Sequence, residues 1–131
     1  MDVESFFEEM PFADYLGIDV TEARDGHAEG RLDLRDELSW HRERVLAHGG
    51  VTFTLADTVG GAALVSIVDQ PVPTVDVRVD YLEPGRGRLR AVADVVRVGG
   101  DVGVVDVEVT AERGDEDDER VAAVRGVYKT G

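Results

Sequence analysis

The chain has 131 residues, a formal net charge of −14 and no cysteine. Such an acidic protein lacks the basic surface that binds nucleic-acid phosphates or anionic membranes, so we expect neither partner. The absence of cysteine excludes disulfides, thiolate metal sites and a cysteine nucleophile. Hydrophobic residues make up 43% of the chain, which is typical of globular proteins, and we expect a single domain over residues 1–131.

The charged residues indicate the environment of the protein. Twenty-eight aspartates and glutamates stand against fourteen basic residues, only one of which is lysine. This composition is similar to that of proteins from salt-accumulating halophiles, in which carboxylates keep the surface hydrated. An ordinary acidic protein with a GC-rich codon bias is the alternative. The N-terminal MDVESFFEEMPF lacks the basic start and apolar run of a signal peptide, so we expect a cytoplasmic protein.

The first third of the chain predicts a short helix and a hairpin. Residues Val3 to Met10 are predicted to form a helix that Pro11 ends. Apolar and polar residues then alternate over 16–34 on both sides of an Arg-Asp-Gly turn, which is typical of two paired strands. A polar loop is predicted from Trp40 to Val45.

The middle segment is long, apolar and almost uncharged. Between Gly49 and Val68 there is a single charge, Asp57, in a chain that is 32% charged. The length and composition predict a helix from about Gly50 to Val68, buried on all sides. Its Thr, Ser, Gly and Asp content favours a core helix over a membrane span. The adjacent pair Gly60 and Gly61 suggests close approach by a neighbouring backbone.

The rest of the chain predicts strands. In Thr74–Tyr81, valines alternate with polar residues, and further strands are expected near 89–98, 102–111 and 121–128. An antiparallel sheet must cover its apolar face, and the long helix is the one element able to do so. We therefore predict an α+β fold in which a curved antiparallel sheet wraps around one central helix.

The segment AHGGVTFTLADTVGGAAL resembles the signature of hotdog-fold acyl-CoA thioesterases, most closely the phenylacetyl-CoA (PaaI-type) branch. The match consists of His48, Gly49 and Gly50 at the helix start and Asp57 nine positions after the histidine. The following TVDVRVDYLEP and the order of elements also match, over nearly the whole chain. The resemblance implies acyl-CoA hydrolysis. Arg42 stands where many relatives have asparagine, which puts carbonyl polarisation and substrate preference in question.

Gly49 is a candidate oxyanion donor. The first N–H groups of a helix have no internal partner and lie at its positive end, and glycine lets a substrate approach. Gly50 shares this position and is a candidate for substrate binding. The alternative is a glycine-rich helix start needed only for backbone geometry.

Asp57 is the candidate general base or nucleophile. Its neighbours one helical turn away are Phe53, Thr54, Gly60 and Gly61, and none is cationic. An unpaired carboxylate in apolar surroundings is costly, so it points to function. The alternatives are a structural aspartate that bonds a neighbouring backbone and one more acid in an acid-rich chain.

The spacing of Gly49 and Asp57 predicts a shared active site. Eight residues separate them, which is roughly 12 Å along a helix, so they cannot both touch one thioester carbonyl. We therefore expect Gly49 of one subunit to face Asp57 of another across a two-fold interface. The family resemblance implies the same, with dimers often pairing into tetramers.

Two further residues complete the candidate catalytic set. His48 belongs to the motif, although a histidine that fixes the start of the helix is a better interpretation than a general base. In the relatives, a serine or threonine near Thr74 resembles a partner for the water or carboxylate, and a solvent-facing strand threonine is the alternative. His27 and His41 are isolated, so we expect no metal site. The thioesterase interpretation implies no bound cofactor.

Arginines are the candidates for binding the phosphates of coenzyme A. Arg42, Arg86 and Arg88 belong to the densest positive segments of the chain. Ordinary ion pairing with the abundant carboxylates is the alternative. Two rival functions also remain open at this point, namely a non-catalytic acyl-CoA binding protein on the same scaffold and a purely structural oligomer.

Overall fold

A computed structural model describes all residues from Met1 to Gly131. Three α-helices, one 3₁₀ turn and six strands follow one another along the chain. Their bounds are α1 Val3–Glu8, α2 Pro11–Leu16, β1 Asp19–Arg24, β2 His27–Asp33, the 3₁₀ turn Asp36–Leu38, α3 Gly49–Val68, β3 Thr74–Tyr81, β4 Arg88–Val98, β5 Val102–Glu112 and β6 Glu119–Lys129. The strands form one antiparallel sheet in the order β1-β2-β4-β5-β6-β3, and α3 packs on it. The predicted hotdog architecture is confirmed.

The N-terminal region contains one more helix than the sequence analysis predicted. Helix α1 ends before Pro11, as expected, but Pro11 then begins α2. Proline is well suited to the first position of a helix, where its missing N–H would have no partner. Helix α2 ends at Gly17, whose positive φ of 82° glycine adopts without strain.

The predicted hairpin is present in β1 and β2. Asp25 and Gly26 form the turn with φ values of 54° and 82°. Two consecutive residues at positive φ give the turn the twist of the paired strands, and Asp-Gly is a preferred pair for it. The hairpin then adds to the sheet through β2, which pairs with β4.

Helix α3 is the core helix. It begins one residue earlier than predicted and ends at Asp69, which has a left-handed conformation. Leu55, Val59 and Leu64 are fully buried against the sheet. The helix is long and apolar enough to cross a membrane by length and composition, but 61% of its most apolar window is buried inside the fold.

The prediction that α3 is buried on all sides is wrong in its last turn, where Ile67 is 46% exposed, and along one stripe of its first half. Phe53 is 37% exposed and Asp57 is half-buried. The sheet covers only the other side of the helix at this level, so these residues face outward in the single chain.

The pair of glycines in α3 makes room for a side chain rather than for a backbone, which corrects the prediction. A Cβ atom on Gly60 would lie 2.5 Å from the hydroxyl oxygen of Tyr128. That hydroxyl donates a hydrogen bond to the carbonyl oxygen of Asp57 at 2.9 Å. Burial, and then the nearby Asp57 carboxylate, raise the pKa of Tyr128, so it remains a donor. Gly60 therefore allows β6 to hold the helical turn that carries Asp57.

Strand β3 lies at one edge of the sheet, and its only strand partner in the chain is β6. Val75 is 59% exposed and Tyr81 is 54% exposed, and Leu82 beyond the strand is exposed too. An eight-residue open edge with apolar side chains is available for pairing with another chain.

His27, given no role by the sequence analysis, lies between two carboxylates on β2 and β4. Its Nε2 is 2.9 Å from Glu29 and its Nδ1 is 2.7 Å from Asp94. The hydrogen bond to Glu29, followed by that to Asp94, raises the pKa of His27 above its ordinary value of 6.5. The two carboxylates thus favour the charged form of the histidine.

This arrangement predicts a loss of stability as the pH rises. Because the folded protein holds the His27 proton more tightly than the unfolded chain, its contribution is complete below pH 6.5 and is lost as the pH passes the raised folded value. We expect the urea midpoint at fixed KCl to fall between pH 6 and pH 9 in the wild type. The fall should be smaller in His27→Gln, and an equal fall in both proteins would contradict this role of His27.

Candidate active site

The first part of the site is the start of α3. His48 caps the helix, and its Nδ1 accepts a hydrogen bond from the Gly50 N–H at 2.8 Å. His48 therefore fixes the start of the helix, as the sequence favoured. Its ring accepts the hydrogen bond of the Gly50 N–H, which was a candidate for substrate binding. The Gly49 N–H has no acceptor in the protein. It is the donor left free at the positive end of the helix.

Tyr81 lies beside this free N–H, and the sequence analysis gave it no part in the site. Its hydroxyl donates to the Gly49 carbonyl oxygen at 2.8 Å, and a Cβ on Gly49 would lie 3.3 Å from that hydroxyl. The one indication of Tyr81 in the sequence is its position at the end of β3, in the segment TVDVRVDYLEP that resembles the hotdog-fold thioesterases. Both residues line a cleft of about 310 Å³, whose other lining residues include Trp40, Thr52, Leu82 and Pro84.

The second part of the site is Asp57, two turns further along α3. Thr74, the first residue of β3, donates a hydrogen bond from its hydroxyl to Asp57 Oδ1 at 2.8 Å. No cationic group lies within 4.0 Å of the carboxylate, and Oδ2 has no protein partner. The structure therefore brings together two residues that the sequence proposed, and it leaves one carboxylate oxygen free to act on water or substrate.

Asp57 and Thr74 lie at the polar side of an apolar cleft of about 320 Å³. Helix α1 supplies part of the wall. The apolar lining residues are Phe6, Phe7, Met10, Val65, Pro71, Val72, Pro73 and Tyr128. This wall could not be predicted from the sequence, because nothing local to α1 indicates that it packs beside the middle of α3.

The two clefts are separate within one chain. The residues that line the Gly49 cleft do not include any that line the Asp57 cleft. Gly49 and Asp57 are eight positions apart on one helix, so they are roughly 12 Å apart along its axis. A single chain therefore offers the donor and the carboxylate at different places.

The three candidate phosphate-binding arginines behave differently. Arg88 is paired with Asp33 at 2.7 Å, so the alternative of ordinary ion pairing applies to it. Arg42 and Arg86 are exposed, and neither has a carboxylate within 4.0 Å.

Glu22, His27 and Glu29 place possible metal-ligating atoms within 4.8 Å of one another, but they line neither cleft. The expectation of no metal remains a prediction.

A hotdog fold with a free helix-start N–H and a hydroxyl-bound carboxylate has the groups that thioester hydrolysis can use, and comparison with known proteins gives the thioesterase class. Residues 46–117 match the model of the thioesterase superfamily. The chain is 37% identical to a "Putative esterase" of Halobacterium salinarum, over 97% of this chain and 89% of the relative. It is 28% identical to the medium/long-chain acyl-CoA thioesterase YigI of Salmonella typhimurium, over 98% of this chain and 90% of the relative.

A solved structure shows the same fold. The PaaI protein of Escherichia coli, from its phenylacetic acid degradation operon, superposes with a TM-score of 0.85 at 27% identity, covering 97% of this chain and 88% of that one. The chain belongs to the thioesterase superfamily and is a PaaI-like thioester hydrolase.

Proposed function

We propose that this chain is a cytoplasmic acyl-CoA thioesterase, a single hotdog domain that completes its active site by pairing with a second copy. The observation that carries the proposal is the pair of half-sites, a free Gly49 N–H in one cleft and the Thr74-bound Asp57 in another. Neither half-site alone can polarise a thioester and attack it.

The Gly49 N–H would hold the thioester oxygen. Negative charge develops on this oxygen when the carbonyl carbon is attacked, and the N–H at the positive end of α3 is aimed outward before the reaction begins. The hydrogen bonds from Tyr81 and to His48 fix the backbone on both sides of the amide. The donor is therefore held in place by hydrogen bonds within the protein.

Asp57 of the other subunit would supply the attack. In one route its free oxygen takes a proton from water, the water oxygen bonds to the carbonyl carbon, and the C–S bond breaks to release CoA. In the other route the carboxylate itself bonds to that carbon, expels CoA and forms an anhydride that water then hydrolyses. Thr74 is a positioning residue in both routes, since its hydroxyl orients Oδ1.

The open edge of β3 supports the pairing of two copies. Tyr81 of the Gly49 half-site and Thr74 of the Asp57 half-site lie at opposite ends of this strand. If the β3 edges of two copies pair antiparallel, the Thr74 end of one strand lies beside the Tyr81 end of the other. Such a dimer has two identical composite sites, and dimers of dimers are the expected larger assembly.

The apolar cleft beside Asp57 would hold the acyl group. Its walls are aromatic and aliphatic, which fits an aryl or aliphatic chain. The rival function is a non-catalytic acyl-CoA binding protein, which would be expected to keep the cleft and lose the carboxylate. The presence of Asp57 with its threonine partner favours the enzyme.

Thiol release from a panel of acyl-CoAs at molar KCl tests the proposed function. The protein has no cysteine, so it adds no thiol background. We expect hydrolysis of at least one short-chain, medium-chain or arylacetyl thioester. Folded, dimeric protein that hydrolyses none of them would favour the binding protein.

Thr74→Val is expected to lower kcat about tenfold and to change KM little. Valine keeps the β-branched shape that suits the start of β3, but it cannot donate the hydrogen bond to Asp57. Thr74→Ser is the matched control, because it keeps the hydroxyl and should retain most of the rate. Equal rates for the valine and serine variants would show that the hydroxyl does not position the carboxylate.

A further inference from the structure

The loop from Ser39 to Leu46 carries the only tryptophan of the chain in an exposed position. Trp40 is 61% exposed and lines the Gly49 cleft. An exposed indole held at the mouth of a cleft is a common form of ligand contact, because it presents a large flat apolar surface.

Hydrogen bonds hold the backbone of this loop in place. The hydroxyl of Ser39 accepts hydrogen bonds from the N–H groups of His41 and Leu46, both at 3.0 Å, and lies 2.9 Å from the carbonyl oxygen of Arg44. The ring of His41 accepts from the N–H groups of Glu43 and Arg44, both at 3.0 Å. The two ends of the loop are paired through Ser39 and Ala47. The exposed side chains of Trp40, Arg42 and Arg44 are therefore presented from a fixed backbone.

Unpaired arginines lie in the chain segments that border the same cleft. Four arginines of the chain have no carboxylate within 4.0 Å, and three of them lie here: Arg42 and Arg44 in the loop, and Arg86 in the segment next to Gly85 of the cleft wall. The two segments are tied by a hydrogen bond from Ala47 N–H to the Gly85 carbonyl at 2.9 Å. Arg86 lines an adjoining cleft that shares Glu83 and Pro84 with the Gly49 cleft. In a chain with a net charge of −14, three unpaired arginines in the two segments beside one cleft indicate an anionic ligand.

The unpaired arginines lie beyond the lining of the cleft that Gly49 and Trp40 share. Gly49 and Trp40 line one cleft, and Arg42 and Arg44 follow two and four residues after Trp40. Along CoA, the thioester is followed by the pantetheine arm and then by the phosphates. We propose that Trp40 carries the pantetheine arm outward from the Gly49 cleft, and that Arg42, Arg44 and Arg86 bind the phosphates of CoA. This inference rests on the proposed function for the position of the thioester.

A comparison of CoA thioesters with pantetheine thioesters, which lack the nucleotide, tests this proposal. The KM of an acyl thioester of pantetheine is divided by the KM of the same acyl thioester of CoA, at one KCl concentration. In the wild type we expect this ratio to be about thirty, since three charge-assisted contacts to phosphate, each contributing about threefold, are present only with CoA. In the triple variant Arg42→Gln, Arg44→Gln, Arg86→Gln the ratio should fall toward one.

The matched control is Arg97→Gln, which removes the fourth unpaired arginine at the far end of β4. Its ratio should equal that of the wild type. The three single variants keep the test decisive if the triple variant folds poorly, and each should lower the ratio about threefold. A ratio that is the same in the wild type, the single variants and the control overturns the assignment of the arginines.

Trp40 gives an independent readout, since the fluorescence of the only tryptophan reports on this one position. Free CoA should shift or quench its emission, and Arg42→Gln should require about threefold more CoA for the same change. Emission that does not change with CoA overturns the proposal. Emission that changes only with protein concentration, because a second copy covers Trp40, also overturns it. A response to CoA without hydrolysis of any thioester would sink the proposed function alone, and hydrolysis without a response would sink this inference alone.

Discussion

Asp57→Asn is expected to lower kcat by about 10³-fold while the protein remains folded and dimeric, because the change removes the group that accepts the proton or attacks the carbonyl carbon. Asparagine has the same shape, and its carbonyl oxygen can still accept the hydrogen bond from Thr74. The carbonyl of residue 57 also keeps its bond from Tyr128. Steady-state thiol release with the best acyl-CoA measures the effect.

The matched control for Asp57→Asn is Asp76→Asn. Asp76 is an exposed acid on β3, two residues from Thr74, and its replacement changes the charge near the same cleft by the same amount. We expect this control to keep its rate within about twofold. If the Asp57 variant also retained most of its activity, the carboxylate would be structural and the mechanism proposed for it would be wrong.

Gly49→Pro is expected to lower kcat about 10²- to 10³-fold relative to Gly49→Ala, in the range measured for loss of one oxyanion donor. Gly49 is the first helical residue, where proline is favoured, and the preceding His48 has φ −58° and ψ 139°, a conformation that suits a residue before proline. Proline therefore removes the Gly49 N–H with little disturbance of the helix.

The alanine variant isolates the effect of the N–H. It keeps the donor and adds the same Cβ, which meets Tyr81 at 3.3 Å in either case. Any loss shared by alanine and proline reflects crowding against the tyrosine. Equal kcat values for the two variants would exclude the Gly49 N–H as the group that stabilises the oxyanion.

Most of the fold could be predicted from local patterns. The alternation in Thr74–Tyr81 fixed a strand with the observed bounds, and the apolar run fixed α3 to within one residue. The second N-terminal helix was missed because Pro11 can end one helix and begin another. The exposure of Phe53 was missed because composition does not show which side of a helix the sheet leaves uncovered.

A site residue could be predicted from the sequence where it differs clearly from the residues around it. Asp57 did so as the single charge of an apolar helix, and the structure gives it the expected lack of a cationic partner. The contribution of Phe6 to its cleft and the pairing of Arg88 with Asp33 could not be predicted, because each joins residues far apart in the chain. The contact of Tyr81 with Gly49 could be recognised only from the three-dimensional position of its hydroxyl.

The central claim is that each active site takes Gly49 from one chain and Asp57 from the other, and a heterodimer tests it most directly. Gly49→Pro and Asp57→Asn chains with different tags are co-expressed and purified through both tags. In the heterodimer, one composite site has both groups intact and the other has neither. We predict about half of the wild-type kcat per dimer, although both parent homodimers are nearly inactive. A heterodimer as inactive as its parents would contradict the account, since it would place both groups of each site in one chain.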